Sequence, residues 1–187
     1  MRRMIIGSLI LLFAPMVPAC TQSPAAGPAQ IILLRHAEEP TDPDNPHLSP
    51  AGVVRANALV SFIRANPTMS RFGPPVAVFA SKATKRDNGQ RSQETVAPLA
   101  KALGLPVQTP YLARNYDKLA KRILASPAYA GKTVVISWTH EDIPEFASAL
   151  GVKPRPPKWK GSVYDQVYVI SYQNGNATLA TFHYDSK

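Results

Sequence analysis

The chain has 187 residues, a formal net charge of +9 and one cysteine. This length suits a single domain with a sizeable core, and a lone cysteine excludes a framework of intramolecular disulfides. The lysines and arginines are scattered and form no dense basic run, so we expect no nucleic-acid partner.

The N-terminus has the pattern of an export signal. A basic start is followed by a mostly apolar stretch over residues 5–13 and then by small residues. The stretch is too short to span a membrane, which predicts a signal peptide over residues 1–19. Cys20 lies where bacterial lipoproteins carry an acylated cysteine, although Pro18 is unusual there. We expect an exported protein held at a membrane of the cell envelope by lipidated Cys20; the alternative is plain cleavage near Ala19, with an ordinary thiol.

Residues 20–29 are rich in proline, alanine and glycine, which predicts a flexible tether. Residues 30–187 show no internal repeat and no second linker, so we expect one domain there. Short apolar runs alternate in it with apolar residues at helical spacing. The predicted elements, in chain order, are a strand at 31–34, a helix from 50 to 65, a strand at 76–79, a helix from about 91 to 103, a short strand at 107–109, a helix around 119–124, a strand at 133–138, a helix closed by Gly151, and a hairpin of strands 166–172 and 178–184.

This alternation of strands and helices favours a three-layer α/β/α sandwich with a mainly parallel sheet. Continuous apolar runs such as 31–34 and 133–138 are typical of strands that are buried on both faces. In open sheets of this kind, ligands bind beyond the carboxyl ends of the strands. Candidate functional residues are therefore those that follow predicted strands.

Arg35 and His36 end the first predicted strand. Phosphoryl transfer needs a nucleophile and positive charge around the transferred group. A neutral imidazole can attack, and a guanidinium can hold phosphate oxygens with its planar fork. The pair is therefore a candidate phosphoryl-transfer site, whereas the ordinary interpretation is an exposed Arg-His pair on a loop.

Arg91 and His140 have corresponding positions on other elements. Arg91 opens the second predicted helix, where free backbone N–H groups favour anions. His140 follows the strand at 133–138 and could donate to a phosphate oxygen. Arg86, in the loop after the second strand, competes with Arg91 as the second phosphate-binding arginine. Taken alone, Arg91 would be interpreted as a solvated arginine and His140 as a histidine satisfied in or near the core.

Four motifs in order carry a resemblance to a known family. They are Leu-Arg-His-Ala-Glu at 34–38, Leu-Ser-Pro-Ala-Gly at 48–52, Arg-Ser-Gln-Glu-Thr at 91–95, and His140. Together they resemble the motifs of the histidine phosphatase superfamily, which is phosphoglycerate-mutase-like, over about residues 31–151.

The resemblance implies a phosphoglycerate-mutase-like fold and a phosphoric monoester hydrolase. His36 would be the nucleophile and would form a phosphohistidine, while Arg35, Arg91 and His140 would bind the phosphoryl group. Splitting the displacement into two steps is covalent catalysis. The site would need no metal or cofactor, and the partner would be a small phosphorylated substrate.

The sequence departs from the family at two points: the loop from Ser81 to Arg91 is longer than usual, and the general acid is not in a usual place. Glu141 directly follows His140 and is the preferred proton donor. Asp117 is the only acid in the segment after the third predicted strand, and it is the second candidate. Asp142 comes third, because with Glu145 it fits a capping box at the start of a helix.

Two other functions compete with the phosphatase. One is a metallohydrolase that would use His36, Glu38, His140 and Asp142 as ligands, although the charge of Arg35 would oppose a cation. The other is a catalytically impaired envelope lipoprotein that binds phosphorylated ligands. The sequence leaves the substrate and the oligomeric state open.

Overall fold

A computed structural model describes residues 27–84 and 89–184 of the chain. Within these ranges, six strands form one mixed sheet with helices on both faces. The elements, in chain order, are β1 (Gln30–Arg35), α1 (Pro50–Ala65), β2 (Ala77–Ala80), α2 (Gly89–Leu103), β3 (Val107–Gln108), α3 (Tyr116–Leu124), β4 (Thr133–Trp138), α4 (Ile143–Ala149), β5 (Gln166–Gln173) and β6 (Asn176–His183).

The strands lie in the order β3-β2-β4-β1-β5-β6. The first four in the chain pair in parallel, and β5 and β6 form an antiparallel hairpin beside β1. Asn174 and Gly175 make the hairpin turn with φ angles of 51° and 79°, the left-handed pair that an Asn-Gly turn favours. The parallel pairing brings the carboxyl ends of β1, β2 and β4 to one edge of the sheet.

The core divides into two layers, one on each face of the sheet. On one face, α3 and α4 bury Leu119, Ile123 and Phe146 against the strands. On the other face, α1 and α2 bury Leu59 and Leu99. Alternate residues of β1 enter the two layers, which explains why that strand is a continuous apolar run. The predicted three-layer α/β fold is confirmed.

Several predictions fall outside the described residues. They are the signal peptide at 1–19, Cys20, most of the tether at 20–29, and Arg86. In residues 27–84 and 89–184, no helix is both long and apolar enough to cross a membrane.

The two predicted N-cap residues, Ser49 and Asp142, differ in whether they cap their helices. Ser49 is extended (φ −68°, ψ 166°), and its hydroxyl accepts a hydrogen bond from the Gly52 N–H at 3.1 Å, which is the geometry of an N-cap. Asp142 also precedes a helix, but its backbone is helical (φ −89°, ψ −15°) and its side chain makes no capping bond. The Asp142 carboxylate accepts instead from the Thr139 hydroxyl at 2.9 Å. The predicted capping box is therefore wrong.

Gly52 is required by the close approach of α1 to the loop after β1. A Cβ at this position would lie 2.5 Å from the Glu38 carbonyl oxygen and 3.1 Å from the Leu48 Cβ. We expect Gly52→Ala to lower the free energy of unfolding by about 1–3 kcal/mol, the usual cost of overpacking, in urea denaturation. Val54→Ala on the exposed side of the same helix is the control and should change stability little. Equal stability of the two variants would contradict the packing argument.

Candidate active site

The site lies where β1 ends. Arg35 is the last residue of the strand, and the His36 N–H donates to the Trp138 carbonyl at 3.1 Å, which extends the pairing of β1 with β4. Only 1% of Arg35 and 6% of His36 are exposed. The sheet therefore places a buried arginine and a buried histidine side by side, and the interpretation as an exposed surface pair is wrong.

The His36 ring has a defined tautomer. Its Nδ1 lies 2.9 Å from the Ala37 carbonyl oxygen, which can only accept, so Nδ1 carries the proton. Nε2 then keeps its lone pair. Burial, with a smaller contribution from the charge of Arg35, lowers the pKa of His36 to about 4, against the opposing Ala37 hydrogen bond. At neutral pH, His36 is a neutral imidazole with Nε2 ready to attack.

This protonation state can be measured. In a ¹⁵N NMR titration, with the signal assigned by its loss in His36→Ala, we expect His36 to titrate near pH 4. Because the unfolded chain takes up this proton near pH 6.5, the fold should also lose stability as the pH falls from 6.5 toward 4. A midpoint near 6.5 for the folded protein would contradict the description of a desolvated ring.

The Arg35 guanidinium is anchored on one edge. Its Nη1 donates to the Gly161 carbonyl at 2.5 Å, and its Cζ lies 3.9 Å from the centre of the Tyr164 ring. Nη2 donates to Glu39 Oε1 at 3.2 Å. Nε is buried and has no hydrogen-bond partner among the described residues. An unpaired buried donor is costly, so this edge of Arg35 is suited to an anionic ligand.

Arg91 approaches from the first turn of α2. Its Nη2 donates to the Asn45 carbonyl at 2.6 Å and its Nε to the His47 carbonyl at 3.3 Å. The Thr95 hydroxyl, one turn further on, accepts from the Ala37 N–H at 2.8 Å. These bonds tie α2 to the loop after β1 and fix the direction of the Arg91 fork.

Arg35, His36 and Arg91 meet at the carboxylate of Glu39. Oε1 lies 3.2 Å from Arg35 Nη2 and 3.3 Å from His36 Nε2, and Oε2 lies 3.2 Å from Arg91 Nη1. We call the place of this carboxylate the anion position. Glu39 was not a predicted site residue; the only signal in the sequence was a second acid after the Arg-His-Ala-Glu motif.

His140 lies next to Gly161, the residue whose carbonyl holds Arg35. A Cβ on Gly161, whose carbonyl accepts from Arg35, would be 3.3 Å from His140 Nε2. Burial lowers the pKa of His140, and the charge of Arg35 lowers it further. His140 Nδ1 is buried without a hydrogen-bond partner in the described part of the chain, although Glu141 Oε2 is 3.2 Å away. The two groups are close, but their orientation is unsuitable for a hydrogen bond.

The three candidate acids differ in their surroundings. Glu141 lies beside His140, with 65% of its side chain exposed. Asp142 bonds to Thr139, and burial raises its pKa. Asp117 lies in the first turn of α3 and is half-buried. Glu141 Oε2 lies 3.2 Å from Nδ1 of His140, a predicted site residue.

The ligand set of the metallohydrolase alternative does not assemble. Glu38 accepts from Arg55 Nε at 2.7 Å, and Asp142 is bonded to Thr139. Within residues 27–84 and 89–184, no group of three or more His, Cys, Asp or Glu side chains could hold a metal ion.

Tyr164 is a site residue that no motif indicated. Its ring covers Arg35 and lies 6.3 Å from the ring of His36, centre to centre. The loop before β5 carries it, together with Gly161, over the end of β1. The sequence predicted only a connecting loop before the final strands, because nothing local shows where such a loop folds back.

Among protein-family models and curated protein sequences, none matches this chain. Solved structures are similar to it in fold. One was described as the phosphohistidine phosphatase SixA from Nakamurella multipartitia, with a TM-score of 0.55 and 21% identity over 86% of this chain and 98% of that one. Another is a mycobacterial glucosyl-3-phosphoglycerate phosphatase in complex with inorganic phosphate (TM-score 0.54, 14% identity, 84% and 98%).

A third similar structure is a phosphoserine phosphatase from Entamoeba histolytica in complex with 3-phosphoglyceric acid. Its TM-score is 0.52 and its identity 15%, over 83% of this chain and 97% of that one. At such identities the likeness establishes the fold, not the activity. The chain has the α/β fold of the phosphoglycerate-mutase-like histidine phosphatases, with a central mixed sheet and flanking helices.

Proposed function

We propose that this protein is a phosphatase that hydrolyses a phosphomonoester through a phosphohistidine on His36. One observation carries the proposal: a neutral imidazole and two arginines surround a single anion, the Glu39 carboxylate. A buried cluster of this kind is the arrangement that in-line attack on a phosphoryl group needs.

The substrate's phosphoryl group takes the anion position. Its oxygens accept from Arg35 Nη2 and from Nε, which is buried without a partner among the described residues. Arg91 supplies a second guanidinium, and His140, which lies next to Gly161, is the proposed third phosphate-binding group. The two guanidinium groups stabilise the charge that develops on the phosphoryl oxygens, so the proposal needs no metal or cofactor.

In the first step, His36 Nε2 forms a bond to phosphorus and the bond from phosphorus to the ester oxygen breaks. The leaving oxygen takes a proton, for which Glu141 is the proposed donor. The Nδ1–H bond to the Ala37 carbonyl stabilises the positive charge on the phosphorylated ring. In the second step, water attacks phosphorus, the bond from Nε2 to phosphorus breaks, and the Glu141 carboxylate takes a proton from the water.

Small phosphorylated molecules are the proposed substrates. The mycobacterial structure of this fold holds inorganic phosphate, and the Entamoeba structure holds 3-phosphoglyceric acid. These ligands belong to those proteins; they support the substrate class here because the fold is shared and the anion position is present.

The experiment is rapid mixing with a chromogenic phosphate ester, followed by acid-free quenching and mass spectrometry. We expect a burst of about one product per protein molecule and a phosphoryl group on His36. Binding of the ester without a burst or turnover would contradict the proposal and favour the non-catalytic ligand-binding protein.

We also propose that the protein is exported and held at a membrane of the cell envelope by lipid on Cys20. Labelled palmitate should enter the wild type and be absent from Cys20→Ser, which should leave the membrane fraction. Recovery of both proteins in the soluble fraction would contradict the anchor and favour plain cleavage.

A further inference from the structure

The Glu39 carboxylate occupies the anion position, where the phosphoryl group of the substrate binds in the proposed reaction. An attacking nitrogen and its phosphorus atom approach to about 3–3.5 Å before the bond forms. Glu39 Oε1 already lies 3.3 Å from His36 Nε2 and shares Arg35 Nη2. A phosphoryl group and this carboxylate therefore cannot occupy the anion position together, since they overlap and both are negative.

The side chain of Glu39 can leave without rearranging the fold. It belongs to the loop after β1, and 34% of it is exposed. The preceding residue is fixed: Glu38 pairs with Arg55 at 2.7 Å, and its carbonyl accepts from the Ser49 N–H at 2.9 Å. The backbone on one side is thus anchored while the Glu39 carboxylate has a path to solvent.

The Glu39 carboxylate is a counter-charge for two buried guanidinium groups, beside a ring held neutral by desolvation. Removing one partner of a buried ion pair is costly. Glu39 supplies that counter-charge and spans both arginines, with one oxygen toward each.

We propose that Glu39 is a resident counter-ion that positions Arg35 and Arg91 in the empty enzyme and exchanges with the phosphoryl group on binding. The exchange rests on the proposed function only for the identity of the incoming group. This exchange lowers the affinity for every anion, including the product phosphate. Only the fraction of the protein whose site is open can bind, and the apparent affinity falls in proportion to that fraction.

The test compares Glu39→Gln with Glu38→Gln by calorimetric titration of inorganic phosphate and orthovanadate into the full chain. The two variants make the same change of charge at adjacent positions, but Glu38 contacts Arg55 and not the anion position. We expect Glu39→Gln to bind both anions about tenfold more tightly than wild type, as for a site that is about 90% closed. Glu38→Gln should tighten binding far less.

A gain in affinity cannot come from a damaged fold, so it separates exchange from a structural role. In turnover, Glu39→Gln should lower KM for the ester by a similar factor. If Glu39→Gln fails to fold, Glu39→Asp replaces it; its side chain is too short to span both arginines, so binding should again tighten.

Unchanged affinity in the Glu39 variants, or equal tightening in Glu38→Gln, would overturn the exchange. The results also distinguish failure of the exchange from failure of the proposed phosphatase function. A phosphoryl group trapped on His36 with unchanged affinity would remove the counter-ion role and leave the phosphatase. Tighter binding in Glu39→Gln without trapping would leave the anion site and remove the phosphatase.

Discussion

Replacing His36 with alanine is expected to lower the turnover of a phosphomonoester by about 10⁴-fold or more, the range found when a nucleophile is removed. The loss follows from geometry, because His36 Nε2 is the nitrogen that faces the anion position, 3.3 Å from the carboxylate there. The two arginines remain in the variant, so phosphate should still bind. Steady-state kinetics measure the loss, and phosphate titration measures the retained binding.

His183→Ala is the matched control for this prediction. His183 lies at the end of β6, its side chain is 56% exposed, and it contacts Asp165 at 3.0 Å. His183 has no part in any proposed chemical step, so its removal should leave turnover within about twofold of wild type. Residual activity of His36→Ala within tenfold of wild type would show that another group attacks phosphorus.

Replacing Arg91 with alanine should lower kcat/KM by about 10²–10³-fold, the usual loss for one donor to transition-state charge. Arg91 also holds the Asn45 and His47 carbonyls, so the loop after β1 should loosen as well. Arg91→Lys keeps the charge but loses the planar fork, and its activity should lie between those of alanine and wild type. Both kcat and the affinity for phosphate should fall.

Arg155→Ala is the control for the arginine series. Arg155 is exposed and pairs with Glu145 at 2.6 Å, so its loss should leave kcat/KM unchanged within about twofold. Wild-type activity in Arg91→Ala would instead assign the second phosphate-binding role to another cation, of which Arg86 was the alternative in the sequence.

The fold could be predicted because its signals are local. Burial on both faces makes β1 and β4 continuous apolar runs, and the carboxyl ends of such strands lie at one edge of the sheet. Arg35 and His36 were placed there from β1 alone. Arg91 could be placed because a helix start after β2 points to the same edge.

The parts that escaped prediction depend on side-chain direction and on distant contacts. Tyr164 and Gly161 reach Arg35 from more than 120 residues away through a loop with no regular pattern. Asp142 precedes a helix, but its backbone angles prevent the capping bond. Glu38 and Glu39 are adjacent acids, and no sequence pattern shows that Glu38 pairs with Arg55 while Glu39 enters the site.

The most direct measurement is a crystal structure of the protein with orthovanadate. We expect vanadium bonded to His36 Nε2, with its oxygens held by Arg35 and Arg91 and with the Glu39 carboxylate turned away from them. Vanadate bound elsewhere, or held by the arginines while His36 Nε2 faces another group, would contradict the assignment of His36 as nucleophile.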